Sequence, residues 1–377
     1  MSMETVPGSA RRCLVISGVN FTEGGPLTVF RDFVEAACRV LPNEWQIVVF
    51  AHDVNVLNAQ RARVIAMPYA KQSWLRRLWV EWHEFSRYAR QLEPDLWVSM
   101  HDMSPWVGRV PQVVYCHNPA PFLRVRPMDP IFEPSLLLFR LAYSWLYRIN
   151  IRKNLAVVVQ QSWLRDEFRK WVGNTTEIIV AHPTTSVTGA PPAAQRVRRS
   201  GPATFLYPAL PRAFKNCELL CRAAQHLEKD ASWESSLILT IDGTENRYGG
   251  WLKRRFGSLA TVRFAGRQTR EQMQQRYQEA DCLLFPSRLE TWGLPISEAK
   301  QYGLPMLVAD LPYAKESVGN YPRAEFFDVD DYRSLAAKLL AFQRGTLQFR
   351  SASRPAPEPP FAADWASLII MLERLVT

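Results

Sequence analysis

The stretch from Asp281 to Ala299 predicts a buried strand, a tight loop and a helix in succession. Residues 282–286 form an apolar run that ends in proline, which is typical of a buried strand. The apolar residues after Pro295 have helical spacing. A turn of this kind directs backbone N–H groups and a helix N-terminus toward the end of the strand. It is therefore suited to binding an anion such as a diphosphate.

The loop and the start of the helix carry residues that fit a sugar nucleotide. Gly293 lacks a Cβ, so a ligand can approach the backbone closely there. Two carboxylates, Glu290 and Glu298, bracket the turn. A carboxylate accepts paired hydrogen bonds from ribose hydroxyls and stabilises positive charge that develops on a sugar ring. The alternative is a surface helix with two solvated glutamates.

The Glu-x7-Glu spacing in ETWGLPISEA, the preceding FPS and the later GLP at 303–305 resemble a known family. They are similar to the retaining nucleotide-sugar glycosyltransferases of the GT-B fold, in particular family 4, the glycosyl transferases of group 1. The resemblance implies an α/β fold with two Rossmann-like, doubly wound domains that face each other across a cleft. It implies that Glu290 is catalytic and holds the donor sugar, and that Glu298 binds the ribose. The loop that would bind the donor diphosphate contains Thr291, Trp292, Gly293 and Leu294.

Two cations before a predicted helix in the second half are further candidates for diphosphate binding. The segment Pro211-Arg212-Ala213-Phe214-Lys215-Asn216 resembles the Arg and Lys loop of family 4. Arg212 and Lys215 would neutralise the leaving nucleotide, the arginine as a planar fork and the lysine as a point charge. Arg212 lies nearer to Lys215 than in the commoner family pattern, and a surface lysine is the alternative for Lys215. The resemblance also places Arg267 beside the nucleobase or a phosphate.

In the first half, a glycine loop and a histidine follow predicted strands. The strand at 13–17 leads through Gly24 and Gly25 into a helix, where many GT-B enzymes have a Gly-Gly loop close to the donor phosphates and the acceptor. An ordinary turn is the alternative. His117 resembles the histidine that ends a strand in the family, which implies a catalytic position near the donor sugar. A structural histidine is the alternative. His101 and Asp102 are candidates for contacting the acceptor.

We expect no cofactor and no metal, because no Asp-x-Asp motif stands at the end of a core strand. The acidic run at 328–331 follows the last core strand and is expected to be a polar turn. The six cysteines show no zinc-like spacing and are interpreted as reduced thiols, mostly in the core.

The alternation of strands and helices over 377 residues predicts two doubly wound domains, at about 150 residues each. We expect an N-terminal acceptor-side domain at 1–184 and a linker rich in Pro, Thr, Ala and Ser at 185–203. A nucleotide-sugar domain should follow at 204–354. The remaining residues, 355–377, should form a helix that crosses back to the first domain.

The charge balance favours an anionic partner. Lys and Arg total 46 against 36 Asp and Glu, a net charge of +10. No nucleic-acid-binding motif is present, so phosphorylated substrates or an anionic membrane surface are the preferred partners. No apolar run reaches the ~20 residues of a membrane span, and residues 1–10 lack the apolar core of a signal peptide. A cytoplasmic protein is therefore expected.

Two stretches mix bulky apolar and basic residues, Trp74–Leu92 and Leu136–Lys153. In the first stretch, helical spacing predicts one apolar face, which comprises Leu75, Leu78, Trp82, Phe85, Ala89 and Leu92. A basic, tryptophan-rich amphipathic helix is typical of contact with an anionic membrane surface. Peripheral attachment to the inner face of the cytoplasmic membrane would suit an acceptor linked to a polyprenyl diphosphate. A helix that packs on a sheet and exposes a basic face is the alternative.

The family resemblance implies a retaining hexosyltransferase that uses a nucleotide diphosphate sugar and a saccharide or lipid-linked saccharide acceptor. Synthesis of a bacterial surface polysaccharide (O-antigen, capsule or exopolysaccharide) is the expected setting. Two alternatives remain: a GT-B epimerase of nucleotide sugars and a non-catalytic partner subunit. A Rossmann oxidoreductase fits less well, because no Gly-x-Gly-x-x-Gly follows the first strand.

Overall fold

Strands and helices alternate along the chain in the computed structural model, which describes residues 12–22, 24–57, 60–183, 201–350 and 356–377. Within these ranges there are fourteen strands: β1 (Arg12–Ser17), β2 (Trp45–Ala51), β3 (Ala62–Ala66), β4 (Leu96–Ser99), β5 (Gln112–Cys116), β6 (Ala156–Val159), β7 (Glu177–Ala181), β8 (Thr204–Tyr207), β9 (Ser236–Leu239), β10 (Val262–Phe264), β11 (Cys282–Phe285), β12 (Met306–Ala309), β13 (Ala324–Phe327) and β14 (Phe361–Ala362).

The helices connect these strands in the manner of doubly wound folds. The same ranges contain thirteen α-helices: α1 (Gly24–Val40), α2 (Trp74–Trp79), α3 (Phe85–Leu92), α4 (Asp129–Phe132), α5 (Ser135–Arg148), α6 (Ser162–Val172), α7 (Cys217–Leu227), α8 (Arg247–Phe256), α9 (Arg270–Glu279), α10 (Leu294–Gln301), α11 (Pro312–Val318), α12 (Tyr332–Gln343) and α13 (Trp365–Arg374). None of the helices described is both long and apolar enough to cross a bilayer.

The chain divides into two units. The first comprises 1–118, 142–184 and 357–377, and the second comprises 119–141 and 185–356. Residues 119–141, which the sequence assigned to the N-terminal domain, thus pack with the second unit. The predicted linker, 185–203, lies mostly outside the described residues.

The first unit contains an eight-stranded parallel sheet in the order β14-β7-β6-β5-β4-β1-β2-β3. Alternate residues of β1 point to opposite faces of the sheet. Leu14 and Ile16 pack in a core with α1 and α13, whereas Cys13 and Val15 pack in a second core with Phe85. Helices therefore cover both faces, which explains the nearly continuous apolar sequence of these strands.

The end of the chain belongs to the first unit. β14 pairs with β7, and α13 packs against α1. Phe33 of α1 and Trp365 of α13 are in edge contact, with ring centroids 5.7 Å apart.

The predicted helix at 74–92 is interrupted by a π-helical turn, Val80–Glu84, between α2 and α3. A π turn holds an extra residue, so it rotates the residues before it relative to those after it. The expected apolar face fails at its start, because Leu75 is 80% exposed. Arg77 and Glu81 are buried instead.

The second unit contains a six-stranded parallel sheet in the order β10-β9-β8-β11-β12-β13. β8 and β11 are adjacent at its centre. Loops that follow neighbouring parallel strands meet at the carboxyl edge of a sheet, where α/β proteins bind ligands. The two predicted diphosphate-binding loops follow these two strands.

Candidate active site

The loop between β11 and α10 has the predicted strand–loop–helix geometry. Gly293 precedes α10 with φ +79°, a left-handed conformation that favours glycine. A Cβ at this position would lie 3.1 Å from Phe285 and 3.3 Å from Ile296. The left-handed conformation and the close packing therefore both favour glycine here, in addition to the close ligand approach inferred from the sequence.

Lys215 and Glu290 lie together in the second unit. The Lys215 Nζ is 2.5 Å from Glu290 Oε1, and the two side chains are 19% and 15% exposed. Because both side chains are mostly shielded from water, this charge-assisted hydrogen bond is stronger than an ion pair on the protein surface. The structure thus brings the predicted diphosphate cation next to the predicted sugar-binding carboxylate.

Arg212 is paired with a carboxylate that the sequence analysis missed. Its Nε donates to Glu133 Oε2 at 2.8 Å, and the other carboxylate oxygen accepts from the Ala213 amide at 2.7 Å. Glu133 precedes Arg212 by 79 residues, so no local motif indicated this contact. Glu133 thus accepts a hydrogen bond from the guanidinium group that the sequence predicted to bind the diphosphate.

Further ion pairs hold the segment 119–141 to the loops of the second unit. Arg288 Nη2 is 2.6 Å from Asp129 Oδ1, and Arg126 pairs with Asp330. Phe132 packs on the rings of Tyr248 and Trp251, at centroid distances of 5.4 and 5.0 Å. These contacts position Glu133 beside Arg212.

Glu298 lies one turn into α10, where it accepts a hydrogen bond from Tyr277 of α9. Burial raises the pKa of Glu298, while the Tyr277 hydrogen bond and the charge of Arg270 act in the opposite direction. Tyr277 is itself buried and stacks on Tyr302 with centroids 5.3 Å apart. Tyr277, like Glu133, was not predicted as a site residue.

The remaining predicted donor-site residues differ in exposure. Thr291 and Leu294 are half-buried, and Trp292 is buried with its indole Nε1 donating to Ser297 at 2.8 Å. The Trp292 side chain therefore supports the loop. Only the backbone of Trp292 then fits the predicted contact with the donor diphosphate. Arg267 is exposed in the loop after β10.

His117 and the glycine loop lie in the first unit. The His117 Nδ1 is 3.3 Å from Asp102 Oδ1. Phe21, in the loop before α1, packs edge-on against the His117 ring, with the two ring centroids 5.0 Å apart. Gly24 begins α1 with φ +73°, followed by Gly25. His101 and Asp102, considered as acceptor contacts, are buried.

The acidic run at 328–331 forms a polar turn. Asp331 caps α12 by accepting from the Arg333 and Ser334 amides, and Asp328 accepts from the Asp330 amide. Within the described part of the chain, no three His, Cys, Asp or Glu side chains converge in a way that could hold a metal ion.

The strand–loop–helix with its adjacent lysine and glutamate lies within a segment that matches a known family. Residues 193–350 match the family described as Glycosyl transferases group 1. This segment is therefore similar to the group 1 glycosyl transferases. Comparison with the curated proteins found no match.

Solved structures of glycosyltransferases share the fold of the whole chain. A sucrose-phosphate synthase from Thermosynechococcus elongatus superposes with a TM-score of 0.66 at 16% identity, covering 97% of this chain and 95% of that one. The lipopolysaccharide outer core galactosyltransferase WaaB superposes with a TM-score of 0.61 at 15% identity, covering 90% of this chain and 92% of that one. Anabaena HepE in complex with UDP-glucose superposes with a TM-score of 0.56 at 13% identity, covering 97% of this chain and 98% of that one. The predicted GT-B fold and the resemblance to the group 1 glycosyl transferases are confirmed.

Proposed function

We propose that this glycosyltransferase moves a hexose from a nucleotide diphosphate sugar to a saccharide acceptor with retention at the anomeric carbon. The observation that carries the proposal is the Lys215–Glu290 pair at the carboxyl edge of the second sheet, inside the segment that matches the group 1 family. The cation can neutralise the departing diphosphate and the carboxylate can hold the sugar, so this pair suits the reaction.

In the proposed mechanism, Lys215, Arg212 and the backbone of 291–294 neutralise the diphosphate as it leaves. No metal is then required for this charge. Glu290 holds hydroxyls of the donor sugar while the ring gains oxocarbenium character. The acceptor hydroxyl attacks from the face that the diphosphate leaves, and a phosphate oxygen takes its proton. Glu298 binds the ribose and Arg267 lies on the nucleobase side.

His117 completes the proposed catalytic set, as a hydrogen-bonding partner of the reacting sugar. The names of two neighbours support the choice of substrates: one is a lipopolysaccharide galactosyltransferase, and the other was solved with UDP-glucose. We propose a saccharide or polyprenyl-diphosphate-linked saccharide as acceptor, in bacterial surface polysaccharide synthesis.

We also propose that the enzyme acts in the cytoplasm and docks on an anionic membrane surface through α2 and α5. Both helices expose large apolar side chains, and the Trp74 ring of α2 contacts Tyr143 of α5 at 5.7 Å. Exposed tryptophan and leucine beside basic residues suit a membrane interface. Within the first unit, these side chains are Trp74, Leu75 and Trp79 of α2 and Trp145 of α5.

Thermal melting against UDP, GDP, ADP, CMP and dTDP without added metal tests the donor site. A ligand that binds only the folded state raises the melting temperature. We expect one diphosphate to stabilise the protein and Lys215→Ala to remove this stabilisation. Lys229→Ala, at an exposed lysine of the same unit, is the matched control. If no nucleotide stabilises the wild-type protein, the donor site fails and the non-catalytic partner becomes the better hypothesis.

Co-sedimentation with vesicles tests the membrane surface. We expect binding to vesicles containing phosphatidylglycerol, and weaker binding for the Leu75→Ser/Trp145→Ser variant, whose two sites both lie in the first unit. Leu210→Ser removes a leucine of the second unit that is 62% exposed, and it serves as the control. Equal binding by wild type and the double variant would exclude this surface as the docking site.

A further inference from the structure

Asp102 is the centre of a buried hydrogen-bond cluster at the end of β4. Its Oδ1 accepts from the backbone amides of His117 at 2.7 Å and Asn118 at 3.0 Å. The same oxygen accepts from the Tyr147 hydroxyl at 2.7 Å. Burial and the Asp102 charge raise the pKa of Tyr147, so its hydroxyl remains a donor. One carboxylate thus fixes the backbone that carries the His117 ring.

The backbone of Asp102 is held in a conformation that few residues adopt. Its φ is +71°, in the left-handed region that aspartate and asparagine tolerate better than most residues. The Asp102 amide donates to the Tyr115 carbonyl at 3.1 Å, and the Arg77 guanidinium donates to the His101 carbonyl at 2.9 Å. Such a conformation persists where surrounding contacts determine it, and it is commonly found at functional sites.

The His117 ring is oriented by the same carboxylate. Its Nδ1 is buried, lies 3.3 Å from Asp102 Oδ1 and makes no hydrogen bond of standard geometry. A neutral imidazole carries its proton on one nitrogen only. If Nδ1 carried the lone pair, two electron-rich atoms would face each other in a poorly solvated site. Electrostatics therefore places the proton on Nδ1 and the lone pair on Nε2.

We propose that Asp102 is a positioning residue that locks His117 as the Nδ1–H tautomer, so that Nε2 accepts a hydrogen bond from a hydroxyl of the reacting sugar. The His117 side chain is 17% exposed, so a ligand can reach it. The catalytic part of this inference rests on the proposed transferase function, whereas the tautomer does not depend on it. A carboxylate behind an imidazole fixes its tautomer and its orientation in many enzymes and metal sites.

Nitrogen-15 NMR of the full-length protein with labelled histidine tests the tautomer directly. His117 is assigned by the signal lost in His117→Gln, and spectra are recorded at about pH 8, above the ordinary histidine pKa of ~6.5. We expect a protonated Nδ1 and an unprotonated Nε2 in the wild type. A protonated Nε2 in the wild type would overturn the proposal without any variant of Asp102.

Two variants separate the Asp102 charge from its structural role. Asp102→Asn keeps an oxygen that accepts from the amides but removes the charge, and we expect a mixture of tautomers. Tyr147→Phe keeps the charge, and we expect the wild-type tautomer to remain. An unchanged tautomer in a folded Asp102→Asn protein would overturn the proposal.

Steady-state kinetics then connect the tautomer to the reaction. Removal of a group that orients a catalytic residue typically costs about 10- to 100-fold. We expect Asp102→Asn to lower kcat by about this factor with little change in the donor KM. A shifted tautomer with unchanged kcat would contradict the catalytic part of the proposal. If the wild-type protein transfers no sugar, the proposed function fails, and the NMR result still decides the tautomer.

Discussion

At the residue scale, both predicted phosphate-binding cations already have carboxylate partners. Lys215 pairs with Glu290, and Arg212 pairs with Glu133. A donor diphosphate would therefore exchange one anionic partner for another at each cation. Without nucleotide, the two carboxylates balance the charge of the largely buried Lys215 and of the partly exposed Arg212.

Glu290→Gln should strongly reduce turnover and leave nucleotide binding intact. The amide cannot stabilise the developing positive charge on the sugar, so we expect kcat to fall by about 100-fold or more. Lys215 would lose its carboxylate partner and remain available to the diphosphate. Nucleotide affinity from calorimetry and kcat from a sugar-transfer assay check both parts. Parallel loss of binding and turnover would contradict the assigned role.

Glu133→Gln should tighten binding of the nucleotide diphosphate. The glutamine still accepts from the Ala213 amide but no longer competes for Arg212 with a full charge. Because the Arg212 side chain is partly exposed, we expect a gain of only about 1 kcal/mol, roughly five-fold in Kd. Calorimetric titration of the wild type and the variant measures it. Weaker binding in the variant would show that Glu133 supports Arg212 instead of competing with the ligand.

At the element scale, the π turn between α2 and α3 determines which residues are buried. A strictly α-helical periodicity placed Leu75 on the buried face, and the structure places Arg77 and Glu81 there. The Arg77 guanidinium is 3.6 Å from Glu81 Oε1, and His101 Nδ1 is 3.1 Å from the same oxygen. Burial and the Arg77 charge lower the pKa of His101, so the ring stays neutral.

Glu81 should make stability fall with rising pH. Burial raises its pKa from 4.5 to about 8, against the effect of Arg77. The folded state therefore retains a proton that the unfolded state releases, and this stability is complete below pH 4.5 and lost as pH rises through about 8. We expect the stability of Glu81→Gln relative to the wild type to rise by up to about 1.4 kcal/mol per pH unit in that window. Urea unfolding at several pH values in this range measures the difference. If the free energy of unfolding depended on pH in the same way in both proteins, Glu81 would not be the group that titrates.

At the scale of the whole molecule, chain order and packing disagree in two places. Residues 119–141 precede the second half but pack in the second unit, and residues 357–377 end the chain but pack in the first. Each unit is therefore built from segments that are distant in sequence. The stability of the first unit depends on the last helix, α13.

Leu368→Ala should destabilise the first unit by about 2–5 kcal/mol, because it opens a cavity under α13. Leu368 is 1% exposed in the core that α13 shares with α1. Ile370→Ala is the matched control, since Ile370 lies on the same helix and is 39% exposed. Denaturant unfolding of both variants checks the prediction. Equal effects would show that the two faces of α13 are not distinguished by burial.

The sequence by itself determined the strand–loop–helix around Glu290, Gly293 and Glu298 and the strand that ends at His117. These features depend on apolar periodicity and turn chemistry within a few neighbouring residues, which one sequence displays directly. The GT-B fold followed from the alternation of such elements and from the family resemblance.

Only the tertiary structure decided which side chains meet. It paired Glu133 with Arg212, Asp102 with His117 and Tyr277 with Glu298, and it buried Arg77 and Glu81. These contacts join residues on different elements, at positions set by strand order, loop paths and a π turn. No periodicity encodes them, because they arise from the packing of the whole unit.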